Sequence, residues 1–192
     1  DDMIAMLRRY AADTEPPVEL QRHVEGVVVS CEGFFAGGRW LAPVNATWED
    51  KRFMDGEVGP QTGCMGSIVV CWPEPPRLFA EGVGRLGEAL AEWDWCGPVD
   101  LNTIAAEDGL YGLEWTARFG YVAIENLLEG MHGRLSDFLL DAGSGGTPDM
   151  DVAAGEFLAG LRLSVPPWPH AHETACAQGV PIFADDPLLR GH

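Results

Sequence analysis

The sequence predicts an α+β fold: a mainly antiparallel sheet with packed helices, followed by a small β-rich C-terminal domain. Three features predict it. Segments in which apolar and polar residues alternate are joined by short Gly-containing turns, as half-buried hairpin strands are. Residues 77–93 and 123–140 instead space their apolar residues along one helical face each. The run SGGTPD at 144–149 has the composition of a linker and divides the chain into a first domain, 1–143, and a second, 144–192.

Residues 1–12 open the chain as a short amphipathic helix, with Met3, Ile4, Met6, Leu7 and Tyr10 at helical spacing and Asp1-Asp2 at the end where negative charge is favoured. Because the chain begins inside that pattern, it is expected to be a fragment with an upstream part missing. Glu15-Pro16-Pro17 ends the helix, and 18–24 is expected as a strand. GVVVSCEGFF at 26–35 is a strand rich in β-branched and aromatic residues; 36–39 turns, and 40–44 is its partner. Residues 45–66 combine glycines with polar residues and little periodicity, which predicts a long functional loop whose Gly56, Gly59, Gly63 and Gly66 let backbone N–H groups approach an anion. A short strand at 67–71 and a proline break at 72–76 precede the helix at 77–93, with Leu78, Phe79, Val83, Leu86, Ala89, Leu90 and Trp93 inward. The helix at 123–140 divides at Gly130 and Gly133, with Leu127, Leu128, Met131, Leu135, Phe138 and Leu139 inward, and Gly143 stops it. In the tail, 156–165 alternates with Phe157, Ala159, Leu161, Leu163 and Val165 inward, and 180–184 is a further strand. His170 and His172, in a Pro-rich loop without an acidic or sulfur partner at ligand spacing, read as loop residues.

The chemistry concentrates in 99–120, a hairpin of VDLNTI and LYGLEWTARFG around AAEDG. Successive strand residues face opposite ways. Val99, Leu101 and Thr103, with Tyr111, Leu113, Trp115, Ala117 and Phe119, form an apolar face; Asp100, Asn102, Gly112, Glu114, Thr116 and Arg118 form the other. Putting both acids on one face requires even-numbered residues to oppose even ones. A three-residue loop, Glu107-Asp108-Gly109, with Gly109 in a G1 bulge, sets Asn102 opposite Glu114 and Asp100 opposite Thr116. Two carboxylates with amide and hydroxyl oxygens suit magnesium, and Arg118 suits a transferring phosphoryl group. The bland alternative is an amphipathic hairpin with a solvated acidic face.

Twelve basic residues against thirty acidic ones leave a formal charge of −18, a surface that repels nucleic acid and anionic membranes. The five cysteines, Cys31, Cys64, Cys71, Cys96 and Cys176, form no CxxC, so neither a disulfide framework nor a zinc site is indicated. With no membrane-length apolar run and no signal peptide, a cytoplasmic location is expected.

Lys51-Arg52, then GPQTGCMG at 59–66, then LEWTARFG at 113–120 resemble, in this order, the acidic-Lys-Arg loop, the GPNTGGMG loop and the LEFNxRFG strand of the phosphoribosylamine–glycine ligases, members of the ATP-grasp superfamily. GVVVSCEGFFAGGRWLAP resembles that family's strand pair before the loop, and the chain after Gly146 its small C-terminal domain. The resemblance implies the C-terminal subdomain of an ATP-grasp fold, with ATP and Mg2+ (or Mn2+) as cofactors and small-molecule substrates: glycine, and phosphoribosylamine or a similar amine. It implies Asp100 and Glu114 as metal ligands with Asn102 and Thr116, and Arg118, Lys51 and Arg52 as catalytic or phosphate-contacting groups. It further implies Gln21, Arg22 and Val24 at the nucleotide hinge, and Gly59, Thr62, Gly63, Met65 and Gly66 along the amine substrate's loop. In that family glycine's carboxylate is activated to an acyl phosphate that the amine then attacks.

The chain departs from the pattern at several points. The metal-binding Asn is Thr116, the ribose-holding Glu of G-x-E-x-S is Val28, the paired hinge acids are Gln21-Arg22, and Tyr121-Val122-Ala123 follow RFG in place of Asp-Pro-Glu. Two further readings follow from these: a non-catalytic ATP-grasp relative that binds nucleotide, or a ligase with a different amine. Without the N-terminal substrate domain and most of the ATP lid, this piece alone is not expected to turn over.

Overall fold

The computed structural model describes residues 19–153 and 155–166, with positions 4, 5, 7, 8, 168, 169, 178, 179 and 181. Ile4, Ala5, Leu7 and Arg8 are helical. The rest of the expected helix at 1–12, the expected strand at 180–184, the His170/His172 pair and Cys176 lie outside the described residues.

Six strands form one antiparallel sheet: β1 Val27–Ala36, β2 Arg39–Met54, β3 Val58–Trp72, β4 Gly97–Ala106, β5 Gly109–Thr116 and β6 Phe157–Leu161. Their spatial order is β5-β4-β1-β2-β3-β6. Thus β4 lies beside β1 although some seventy residues separate them in sequence, and β1 is covered on both edges. Its run of Val and Phe suits that central place.

Both faces of the sheet are partly covered. One carries α1 Arg77–Glu81, a 3₁₀ turn Val83–Leu86 and α2 Gly87–Glu92. Phe79, Val83 and Leu90 from these pack on Cys31, Phe35, Val99 and Leu101. Trp40 meets Phe35 and Phe79 edge-on, each at 5.2 Å between centroids. The opposite face carries α3 Ala123–Glu129 and α4 Leu135–Gly143. Here Ala123 and Leu127 pack on Val69, Cys71 and Leu158, while Phe138 and Ala142 pack on Phe34 and Leu41. Asn126, fully enclosed, donates to Ser67 O at 3.2 Å and to Ser67 Oγ at 3.0 Å, pinning α3 to β3.

Several expectations need correction. Residues 19–24 form no strand. The long loop expected at 45–66 is instead the continuation of β2 and β3, which turn only at 55–57. Its glycines misled because they serve the ladder: Gly59 takes a positive φ of 89° near the register shifts at Asp50/Arg52 and Arg52/Met54. A Cβ at Gly66 would stand 2.9 Å from Gly160 O of β6, so that glycine lets two backbones pair closely. The helix at 77–93 is broken at Gly82 and by the 3₁₀ turn that follows it, and Trp93 lies 70% exposed beyond the last turn. Leu128 and Leu139 lie on the outer faces of α3 and α4. In the tail the inward parity is reversed: Phe157 and Leu161 are 76% and 84% exposed, while Leu158 packs against the α3 layer. The cause is pairing with β3, which sets Leu158 opposite Val69, a residue of that layer.

Candidate functional site

The β4–β5 hairpin sets Asn102 opposite Glu114 and Asp100 opposite Thr116, the expected pairing, by a different device. The loop has two residues, Glu107 and Asp108, because Gly109 already pairs with Ala106. From there to Thr103–Gly112 odd residues oppose even ones; the register then shifts, leaving Leu113 as the extra residue. That bulge restores even-to-even pairing and turns Glu114 toward the Asp100 face. Gly112, expected beside Glu114, belongs to the Thr103 face, where a Cβ would stand 3.6 Å from Leu101 Cδ1.

Two rows of polar residues cross the sheet on this face. Thr116, Asp100, Glu32 and Asn45 stand in register on β5, β4, β1 and β2; Glu114, Asn102, Ser30 and Thr47 form the adjacent row. Among these, Ser30, Glu32, Asn45, Thr47, Asp100 and Asn102 are all buried. All of these but Asn45 floor a cavity of about 210 Å³ whose walls include Glu49, Lys51, Thr62, Gly63, Glu114, Arg118 and Tyr121.

Hydrogen bonds order the acidic end. Asn102 Nδ2 donates to Asp100 Oδ2 at 3.0 Å, and Thr116 Oγ1 donates to the same oxygen at 3.2 Å. Asp100 Oδ1 is buried and makes no hydrogen bond. Burial pushes the Asp100 carboxyl up to about 6, against the hydroxyls of Ser30 and Thr116; the Glu49 charge adds to the rise and Arg118 opposes it. Glu32 is 3% exposed. Burial lifts its carboxyl to about 8, the Asp100 charge adds, and the Gly120 N–H and Arg118 oppose. Lys51 Nζ reaches Glu49 Oε2 at 3.2 Å. The thiols of Cys31 and Cys71 are pushed by burial up to about 12 and about 11, which leaves neither a thiolate at neutral pH.

Thus Asp100, Asn102, Glu114, Arg118, Lys51, Thr62 and Gly63 share one cavity, and Thr116 touches it through Asp100. Arg52, Gly59, Met65 and Gly66 do not line it. Arg52 turns along its own hairpin, with Nη1 donating to Gly59 O at 3.0 Å and Nε 4.0 Å from Glu57. Gln21, Arg22 and Val24 do not line it either. Gln21 Nε2 donates to Leu113 O at 3.1 Å, and Arg22 lies over the Tyr111 ring at 5.3 Å. Gln21 borders a second cleft, of about 380 Å³, between β5 and the 3₁₀ turn, and Glu114 reaches its rim. Sequence reasoning missed Glu32, Ser30, Thr47 and Glu49. A lone acid inside GVVVSCEGFF was the available signal for Glu32; Thr47 and Glu49 lay in a stretch read as loop, where no face is assignable.

Among the described residues no three His, Cys, Asp or Glu side chains form a ready metal cage. Magnesium, however, is commonly held by one or two carboxylates plus substrate phosphates. The unpartnered Asp100 oxygen, beside an amide and a hydroxyl, fits that mode.

No protein-family model matches the chain. It is 26% identical over 141 residues to the phosphoribosylamine–glycine ligase of Clostridium acetobutylicum, covering 70% of this chain and 34% of the relative. It is 22% identical over 158 residues to that of Lactococcus lactis subsp. lactis, covering 79% and 38%. Over 79% of its length it superposes on 39% of the crystal structure of phosphoribosylamine–glycine ligase from Thermotoga maritima, with a TM-score of 0.61 and 23% identity. The chain spans about a third of the length of the curated relatives it matches. In sequence over most of its length, and in fold, it is similar to phosphoribosylamine–glycine ligases.

Proposed function

We propose that this chain is the C-terminal part of an ATP- and magnesium-dependent carboxylate–amine ligase of the phosphoribosylamine–glycine ligase type. Residues 1–143 are its partial ATP-grasp domain, and 144–192 its small C-terminal domain, with β6 completing the sheet. The observation that carries the reading is the convergence of Asp100 and Glu114, from neighbouring strands, with Arg118 on one cavity. The names of the relatives support the same class.

In this mechanism Asp100 and Glu114 would hold the metal, with Asn102 and Thr116 orienting the Asp100 carboxylate. Magnesium, when bound, supplies Lewis-acid polarisation of the nucleotide phosphates. Arg118 contributes positive charge where the phosphoryl group moves to the acid's carboxylate. Lys51, held by Glu49, adds a second cation beside Thr62 and Gly63. Gln21, Arg22 and Val24 serve the nucleotide hinge; Thr62 and Gly63, which line the cavity, stand beside the amine on the strand segment that also carries Gly59, Met65 and Gly66. Tyr121 and Val122, where the family motif carries Asp-Pro, favour a second reading with an amine other than phosphoribosylamine.

Phosphate release by the full-length protein with magnesium ATP, glycine and phosphoribosylamine tests the proposal. Release with these substrates, abolished by Glu114→Ala, is the expected result. Release only with another amine selects the second reading. Wild-type turnover that survives Glu114→Ala would overturn the metal assignment, and absence of release with any amine would leave a nucleotide-binding relative.

A further inference from the structure

In the turn between β5 and α3, Phe119, Gly120 and Val122 are each held by the fold. The Phe119 ring joins the Phe34 and Phe138 layer, 6.1 Å from Phe34. The Gly120 N–H donates toward Glu32, and its carbonyl accepts the Ile124 N–H at 3.1 Å. Val122 takes a φ of +60°, a strained conformation for a β-branched residue, and its carbonyl accepts the Asn126 N–H. Tyr121, between Gly120 and Val122, projects from this platform and lines the cavity mouth, and Arg118 lies over its ring at 4.8 Å.

That placement matters because of what surrounds Arg118. Four acids, Glu32, Glu49, Asp100 and Glu114, line the same cavity. Yet among the described residues no carboxylate lies within 4.0 Å of the guanidinium; Nη1 donates only to Phe119 O, at 3.2 Å. A guanidinium paired with a carboxylate has its charge and its donors already used. An aromatic face attracts the cation through its quadrupole and leaves the outward N–H groups free.

We infer that Tyr121 is the positioning residue for Arg118: its ring holds the guanidinium at the cavity mouth, away from the acids and open to a phosphate group. The inference rests on the ligase reading, since it presumes that Arg118 meets the nucleotide's phosphates.

The test is magnesium ATP binding by the full-length protein in a cycle of Tyr121→Leu, Arg118→Ala and the double variant, with Tyr121→Phe as rescue. Tyr121→Leu is expected to weaken binding roughly fivefold, and Arg118→Ala by about tenfold or more. The double variant should equal Arg118→Ala, and Tyr121→Phe, which keeps the ring, should restore affinity. Additive losses, or no loss in Tyr121→Leu while Arg118→Ala is impaired, overturn the inference and leave the ligase reading intact. No loss in Arg118→Ala, or no binding by the wild type, sinks the ligase reading instead. In that case the side-chain NMR signal of Arg118 still decides the stacking: it must shift in Tyr121→Leu, hold in Tyr121→Phe, and an unshifted signal in Tyr121→Leu overturns it.

Discussion

Replacing Glu32 by Gln should raise stability, and the gain should grow with pH. Glu32 stands between Asp100 and Asn45 and is 3% exposed, so folding favours its neutral form. Its carboxyl rises from 4.5 to about 8. At about 1.4 kcal/mol per pH unit, ionising it in the folded state costs at most ~5 kcal/mol above pH 8. The sign follows from proton counting. Between pH 4.5 and 8 the native state holds a proton that the unfolded state has lost, so stability falls as pH rises through that window. Below it the cost vanishes. Glutamine keeps a carbonyl for the Gly120 N–H and has nothing to ionise. In a chelator, thermal melts of Glu32→Gln and wild type should nearly coincide at pH 4.5. At pH 8 the variant should melt higher by roughly 10 °C, allowing about 2–4 °C per kcal/mol for a chain of this size. A melting difference that does not change with pH would refute the reasoning, because a lost contact or better packing has no reason to follow this titration.

Deleting Leu113 should leave magnesium ATP binding by the full-length protein in place, because the residue after Gly112 is then Glu114, which falls opposite Asn102 in a regular ladder and keeps the Asp100 face; loss of binding in a deletion variant that folds would refute this account of the register. Asp100→Asn should remove the magnesium-dependent part of the thermal protection given by ATP, read as the melting shift with and without the ion; equal shifts in both proteins would exclude Asp100 as a ligand. Gly160→Ala should destabilise by about 1–3 kcal/mol in urea unfolding, since its Cβ meets Asn126 Oδ1 and stands 2.8 Å from Val122 Cγ1.

The sequence by itself determined what is local. Period-two alternation named the two faces of VDLNT and LEWTA, and glycine with helical spacing divided 123–140 into two helices. The three ordered motifs pointed to the same relatives that the comparisons returned. Side-chain direction in a strand depends only on its own residues. Tertiary structure decided everything that needs a partner strand. Whether Asp100 and Glu114 share a face depended on where an extra residue is absorbed, and loop and bulge are equivalent solutions until the ladder forms. Glu32 became part of the site only because β4 pairs with β1 from far along the chain. The glycines at 59–66 read as loop because their use, letting strands shift register and approach closely, is invisible without β2 opposite Gly59 and β6 opposite Gly66. Periodicity states which way a side chain points along its own strand; only pairing states what it points at.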